Sequence, residues 1–128
     1  MADFRLRQAE RLKKRKAIEL LFSHGRSVRA YPLRIVFLIT ERQGRFPAQV
    51  GTTVPRKLFK RAVDRNRLKR LLREAYRLHK SIIYDVMEDP KKQLSLMVIY
   101  TSDEIQAFDT IERALVKAIR LMLDKSRM

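Results

Sequence analysis

Apolar and polar residues alternate along two stretches in the first half of the chain. In residues 33–40 the odd positions are all apolar and the even positions are mixed, which predicts a strand with one apolar and one mixed face. Residues 47–54 alternate similarly and end at Pro55, which cannot donate to a β-ladder. Because Gln43, Gly44 and Arg45 supply a turn between them, we predict an antiparallel hairpin.

Apolar residues recur at helical spacing in three further stretches. Residues 12–24 predict a helix with Gly25 as its C-cap, and residues 104–123 predict a last helix with Asp103 and Glu104 at its start. The strongest signal covers residues 64–80. Its start stays open, since either Asp64 is the N-cap or the helix begins earlier with a different packing partner.

Between the last two helices, residues 85–92 read as a loop and residues 94–101 are apolar enough for a central strand. The element order is therefore helix, hairpin, helix, strand, helix. This order predicts an α+β two-layer sandwich with a mixed sheet. We assign residues 1–10 to a flexible basic arm and residues 11–125 to one domain, which agrees with a length of 128 residues.

Composition excludes several kinds of protein. The chain has no cysteine and two histidines, which excludes a disulfide scaffold and a thiolate zinc site and disfavours a histidine-rich metal site. Its apolar runs are far shorter than the roughly 20 residues of a membrane span, and the first residues lack the apolar core of a signal peptide. We therefore expect a soluble, cytoplasmic protein.

Positive charge is concentrated in two blocks. The net charge is +16, of which residues 1–29 carry nine basic and three acidic residues, while residues 56–80 carry eleven and two. On a helical wheel, Arg70, Arg73, Arg77 and Lys80 lie opposite a leucine-rich face, with Asn66 among them. Concentrated charge of one sign indicates a binding surface for a polyanion.

Three interpretations of the basic helix compete. An ordinary solvated face would mix signs, because like charges repel along a helix. A membrane-surface helix would need its apolar face for insertion, yet that face is required to cover a sheet. Nucleic-acid binding is favoured, since arginine grips phosphates bidentately and stacks on bases. Charge and spacing alone do not separate RNA from DNA.

A specific motif lies within this helix. Residues 65–77 read RNRLKRLLREAYR, preceded by Ala62-Val63-Asp64, and they closely resemble the signature of the bacterial ribonuclease P protein subunit. Residues 50–57 resemble the strand that enters that helix. Residues 11–14, Ile18 and residues 22–25 resemble the first helix of the family. The resemblance extends over about residues 10–123.

The resemblance implies both a fold and a function. The fold is an αβββαβα-type mixed sheet with a left-handed β-α-β crossover, ribosomal protein S5 domain 2-like; such crossovers are rare. The family joins a catalytic RNA that removes 5′ leaders from precursor tRNA, and the RNA carries the active site and its Mg²⁺ ions. This implies that the chain has no catalytic residue, metal ligand or cofactor of its own. The alternative is a ribosomal-protein-like RNA-binding protein without a role in tRNA processing.

Carried onto this sequence, the resemblance implies three groups of RNA-contacting residues. The RNA-subunit group is Arg65, Asn66, Arg67, Lys69, Arg70 and Arg73. The leader cleft, between the first helix and the sheet, is Ile18, Phe22, Arg34, Val36, Arg56 and Lys57. The N-terminal group is Arg11, Lys13, Lys14 and Arg15. For Phe22 and Val36 an ordinary core position is the alternative, and the sequence does not decide whether the protein dimerises.

A metal-dependent nuclease acting alone is disfavoured by the placement of the acids. Two-metal hydrolysis needs converging carboxylates. The acidic residues of the second half, such as Asp85 and Asp103, fall in predicted loops or helix starts away from the basic helix. A helix-turn-helix protein is disfavoured too, because a strand follows the basic helix.

Overall fold

The computed structural model of the chain describes residues 5–126 and has the predicted mixed α+β architecture. Its described part contains four α-helices, four strands and one short 3-10 helix. In chain order the elements are the 3-10 helix Gln8–Glu10, α1 Arg15–His24, β1 Arg26–Ala30, β2 Leu33–Glu41, β3 Ala48–Thr53, α2 Ala62–His79, α3 Ser81–Tyr84, β4 Lys92–Tyr100 and α4 Phe108–Ser126.

The four strands form one sheet in the order β1-β2-β4-β3. β2 is antiparallel to both β1 and β4, whereas β3 is parallel to β4. The predicted hairpin between β2 and β3 is therefore wrong, because β4 lies between them. β4 has a neighbouring strand on each side, and it is buried along nearly its whole length.

The hairpin partner of β2 is β1, which the hydrophobic pattern did not predict. β1 has the sequence RSVRA, with only one fully buried residue, Ala30. Its five residues pair with residues 33–37 of β2 around the Tyr31–Pro32 turn. An edge strand with few buried side chains leaves almost no alternation to detect.

Helices cover both faces of the sheet. α2, α3 and α4 pack on one face, against Leu33, Ile35 and Phe37 of β2 and their neighbours on β4. α1 packs on the other face, where Leu21 meets Val36 and Met97 in a smaller cluster. The predicted two-layer sandwich thus describes the larger core, and α1 adds a partial third layer.

Two helix boundaries answer questions that the sequence raised. α2 begins at Ala62 with Arg61 as N-cap, so Asp64 lies in the first turn and the earlier start is confirmed. The predicted start of the last helix at residue 104 is wrong, since α4 begins at Phe108. The side chains of Ser102 and Tyr100 hydrogen-bond to backbone groups of Glu104 and Gln106, which holds residues 101–107 in a loop.

α1 begins three residues later than predicted, for a similar reason. The amide of Leu12 donates to the carbonyl of Val50 at 2.8 Å, and Arg11 forms a parallel bridge with Val50. Residues 11–12 are therefore extended beside β3. The predicted cap, Gly25, ends α1 by donating its amide to Leu21; a Cβ there would lie only 2.9 Å from the Phe37 carbonyl oxygen.

Residues 5–10, the described part of the predicted arm, contact the domain. Leu6 packs against the larger core, and Glu10 is fully buried. The first four residues of the arm lie outside the described residues. Among residues 5–126 we find no helix with the length and apolar character that crossing a membrane requires.

Candidate nucleic-acid interface

The exposed face of α2 carries most of the predicted RNA-subunit group. Asn66, Arg67 and Arg70 are exposed, and Lys69 and Arg73 are half-buried. On the opposite side of the helix, Leu68, Leu72, Ala75 and Tyr76 are buried in the larger core. This packing fixes the orientation of α2, so the cationic groups project from a rigid element.

Arg65, the first arginine of the motif, turns back toward the loop before the helix. One guanidinium nitrogen donates to the carbonyl oxygens of Phe59 at 2.9 Å and Lys60 at 2.8 Å. The buried ring of Phe59 in turn lies 5.9 Å from the Tyr100 ring, centroid to centroid. Arg65 therefore ties the loop to α2, in addition to its predicted contact with RNA.

The predicted basic face does not extend to the end of the helix with a single sign. Arg77 forms a 2.5 Å ion pair with Glu74, which lies one turn earlier on α2. Lys80 is only 4% exposed and is directed into the protein. The prediction of a face of one sign through Arg77 and Lys80 is wrong, because Arg77 pairs with Glu74 within the helix and tertiary packing turns Lys80 inward.

Lys80 pairs with the buried carboxylate of Glu10. The Nζ to Oε1 distance is 2.7 Å, the Arg7 amide donates to the second carboxylate oxygen at 2.7 Å, and the Tyr84 hydroxyl donates to the first. Burial alone would raise the pKa of Glu10. The hydrogen bonds from Arg7, Lys80 and Tyr84, with the charge of Lys80, outweigh burial and hold that pKa below its ordinary value of 4.5.

This pKa predicts how the stability of the protein responds to acid. Ionised Glu10 stabilises the fold above the unfolded-state pKa of 4.5, and this contribution is lost as the pH falls through the lower folded-state value. Glutamine resembles the protonated carboxyl, so Glu10→Gln should be less stable near neutrality and approach the wild type in acid. Urea unfolding of both proteins from about pH 7 to about pH 3 measures this. A difference that did not shrink with acid would contradict it.

The predicted N-terminal group divides into two parts. Lys13, Lys14 and Arg15 are exposed at the start of α1, where the Lys13 ammonium donates to the Gln8 side chain and Arg15 pairs with Glu19 at 3.1 Å. Arg11 is half-buried beside β3. Its Nε atom is buried and has no hydrogen-bond partner within residues 5–126.

The predicted leader cleft is also divided. Val36 is 3% exposed and lies beneath α1, so its side chain has the core environment that was the alternative. Ile18 is half-buried beside it, whereas Phe22 is 50% exposed. Arg34 lies on the same strand as Val36. Its Nε is buried and has no hydrogen-bond acceptor within the described residues. Arg56 and Lys57 are exposed in the turn after β3.

A groove of about 430 Å³ runs between α1 and the sheet. Ala17 and Leu20 of α1 form one wall together with Lys14, the N-cap of the helix, and side chains of β2, β3 and β4 form the floor. The floor includes Leu38 and Thr40 of the predicted mixed face of residues 33–40, whereas sequence reasoning missed Gln49, Gln93 and Ser95. The detectable signal was in β4, where the polar Gln93 and Ser95 alternate with Leu94 and Leu96; all four residues are buried.

Within the described part of the chain, acidic residues do not converge near either surface. Asp85, Glu88, Asp89, Asp103 and Glu104 are all exposed and lie in loops. Within the described range 5–126, no three side chains of His, Asp or Glu are grouped so that they could hold a metal ion. The geometry offers cations and a groove for binding.

The sequence is similar to a known family over nearly its whole length. The sequence model of the Ribonuclease P family matches residues 6–122. A protein of Porphyromonas gingivalis named ribonuclease P protein component is 38% identical over 118 residues, covering 92% of this chain and 86% of that protein. One from Chlorobium phaeobacteroides, with the same name, is 33% identical over 125 residues, covering 91% and 85%.

Solved structures of the same kind share the fold. The RNase P protein of Staphylococcus aureus aligns with a TM-score of 0.65 at 22% identity, covering 90% of this chain and 96% of that one. The RNase P protein of Thermotoga maritima aligns with a TM-score of 0.64 at 27% identity, covering 84% and 93%. Together with the basic helix and its motif, these matches establish that the chain belongs to the ribonuclease P protein family.

Proposed function

We propose that this protein is the RNA-binding subunit of a ribonuclease P, in which a catalytic RNA removes the 5′ leader from precursor tRNA. The observation that carries the proposal is the exposed cationic face of α2, which lies opposite a buried leucine face. The chain that carries this helix belongs to the ribonuclease P protein family. Family membership disfavours the alternative of a ribosomal-protein-like RNA-binding protein. The catalytic RNA would hold the Mg²⁺ ions that activate water and stabilise the leaving oxygen.

The contribution of the protein is electrostatic and positional. Two RNA molecules repel each other, and a cationic surface between them lowers that repulsion. Arg67, Arg70 and Arg73 can each donate to phosphate oxygens, and Asn66 can donate to a base edge or a 2′-hydroxyl. We assign this face to the RNA subunit.

The groove between α1 and the sheet is the proposed site of the leader. Its apolar wall suits unstacked bases, its amide and hydroxyl floor suits base edges, and Lys14 and Lys16 at its rim suit the sugar-phosphate backbone. Phe22 lies on α1 outside the lining of this groove, is 50% exposed, and can stack on a base of a leader that continues past the helix. Arg56 and Lys57 add charge after β3, whereas Val36 supports α1 from below.

Two further features belong to this proposal. β3 and β4 are parallel neighbours joined through α2 and α3, and we propose the left-handed sense for this crossover, by analogy with the family fold. An experimental structure would test the handedness.

We propose the cytoplasm as the compartment, where precursor tRNA would be encountered; imaging of a tagged protein would test it.

Reconstitution tests the proposed function. Purified protein, catalytic RNA and their mixture are incubated with precursor tRNA at low and high Mg²⁺. We expect the mixture to cleave at low Mg²⁺, where RNA alone is slow because repulsion is not screened. Cleavage by the protein alone would overturn the assignment of catalysis to the RNA, and no stimulation by the protein would overturn the proposed role.

Replacing Phe22 with alanine should weaken leader binding selectively. Since base–aromatic stacking contributes about 1–3 kcal/mol per base, we expect the assembled enzyme to bind precursor tRNA about tenfold more weakly. Binding of the protein to the RNA subunit should change little. Fluorescence titration with substrates that have or lack a leader measures the difference.

Tyr31→Ala is the matched control for this substitution. Tyr31 is 70% exposed and lies in the turn between β1 and β2, not on α1, so its removal should leave leader binding unchanged. If Phe22→Ala weakened substrates with and without a leader equally, Phe22 would not be a leader contact.

A further inference from the structure

The Glu10–Lys80 pair joins parts of the chain that are seventy residues apart. Glu10 is fully buried at the end of the 3-10 helix, and Lys80 follows the last residue of α2. Besides Glu10, the Lys80 ammonium donates to the carbonyl of Arg5, and the Tyr84 hydroxyl of α3 donates to Glu10. The end of α2 and α3 therefore hold residues 5–10 by several charge-assisted hydrogen bonds.

A second set of contacts holds the segment at β3. The Leu12 amide donates to Val50 at 2.8 Å, and the Gln49 side chain donates to the Ala9 carbonyl at 3.1 Å. Residues 5–12 are thus held at two places, by α2–α3 and by β3. Arg11 lies between Glu10 and Leu12, so the contacts of these two neighbours restrict its movement away from α2.

Arg11 consequently shares two grooves with arginines of α2. One groove, of about 370 Å³, is lined by Arg11, Arg70 and Arg73 together with Arg5, Leu6, Glu74 and Arg77. The other, of about 190 Å³, is lined by Arg11, Arg73 and Lys13 together with residues of β3. Glu74 is directed at Arg77, so the other guanidinium groups dominate the charge of these grooves.

We propose that Glu10 and Lys80 are positioning residues for RNA binding. Their pair docks residues 5–12 beside α2, so that Arg11 joins Arg70 and Arg73 in one cluster that binds phosphates of the RNA subunit. Arg11 is half-buried and lines both grooves, so part of its side chain is accessible to such a phosphate, although its Nε is buried. The inference rests on the proposed function and adds to it an assembled site with two residues that support it from within.

A purely stabilising role explains the pair less well. Replacing a buried ion pair by apolar residues is often neutral or stabilising, so burial of two charges is weak support for stability as its purpose. An ion pair does, however, specify one register, because displacement of either partner leaves a buried charge unpaired. Register is what the cluster needs, since Arg11 must lie beside α2.

The test compares Glu10→Gln with Glu88→Gln in binding to the RNA subunit. Each substitution removes one negative charge, and Glu88 is exposed in the loop before β4. Charge alone predicts equal or tighter binding for both variants. Positioning predicts about tenfold weaker binding for Glu10→Gln only, with the slope of log affinity against log salt reduced by about 0.7 as one phosphate contact is lost.

Arg11→Ala supplies the background that separates positioning from loss of folding. If Glu10 acts through Arg11, Glu10→Gln should have little further effect in Arg11→Ala. The same loss in both backgrounds, or no loss relative to Glu88→Gln, would overturn the inference. Where Glu10→Gln does not fold by circular dichroism, the cycle of Arg11→Ala with Arg73→Ala replaces it: non-additive losses support a shared cluster, and additive losses overturn it.

Two further experiments are needed. One distinguishes a phosphate of the RNA subunit from a phosphate of precursor tRNA, and the other distinguishes the positioning role from the proposed function. Titrating the assembled enzyme with precursor tRNA should show no Glu10 effect beyond that on assembly; a loss confined to this arm would overturn the assignment to the RNA subunit. A wild-type protein that failed to bind the RNA subunit would overturn the proposed function itself. Wild-type binding with unaffected Glu10 variants would overturn only the positioning role.

Discussion

Replacing Arg67, Arg70 and Arg73 of α2 with alanine together is expected to weaken binding to the RNA subunit by on the order of a hundredfold or more at low salt. All three side chains lie on the solvent side of α2, and alanine favours the helix, so the fold should remain intact. If each arginine contacts one phosphate, the slope of log affinity against log salt should decrease by about 2. Filter binding over a range of salt concentrations measures both quantities.

The matched control lies on α4. Arg113, Lys117 and Arg120 are exposed, lie on a helix at similar spacing, and carry the same total charge. Alanine at these three positions lowers the net charge equally but should leave most of the affinity and most of the salt slope. Equal losses in both triple variants would mean that binding depends on net charge, and would contradict a specific α2 surface.

Leu72→Ala is expected to lower the free energy of unfolding by about 3 kcal/mol, within the usual range of about 2–5 kcal/mol for a buried leucine. Leu72 is fully buried in the larger core, where α2 meets the sheet and α4. The loss combines transfer of the side chain from an apolar environment with the cavity left behind. Urea unfolding followed by circular dichroism measures it.

Leu121→Ala provides the same chemical change at an exposed helical site. Leu121 lies on the outer side of α4, so its truncation should change the free energy of unfolding by about 0.5 kcal/mol or less. A loss of similar size at both positions would contradict the assignment of Leu72 to the core. Folded Leu72→Ala should still bind the RNA subunit, because its cationic face is unchanged.

The helix that carries the candidate interface was predictable because its signal is local. Leucines at 68 and 72 define the buried face, and the cations at 67 and 70 then point away from it by geometry alone. The apolar stripe of α4 is local in the same way, which explains why this helix was predicted although its start was not. The predicted helix start at residue 104 is wrong because side chains of β4 and of the following loop hydrogen-bond to the backbone there.

The candidate groove was less predictable because its residues come from separate strands. Gln49 and Gln93 lie forty-four residues apart and meet through a 3.1 Å hydrogen bond, which no local pattern reports. For both Val36 and Phe22, the sequence left two alternatives, a contact with the leader or an ordinary core position. Packing of α1 on the sheet separated them by burying Val36 and leaving half of Phe22 exposed.

By itself, the sequence determined the elements with strong periodicity, the sign and location of the charge, and, through its motif, the family. These are properties of neighbouring residues, and helical or strand spacing converts them directly into faces. Tertiary structure alone decided that β4 lies between β2 and β3 and that α1 covers the second face of the sheet. It also decided that Lys80 is buried against Glu10 instead of facing RNA, because strand order and ion pairing depend on residues far apart in the chain.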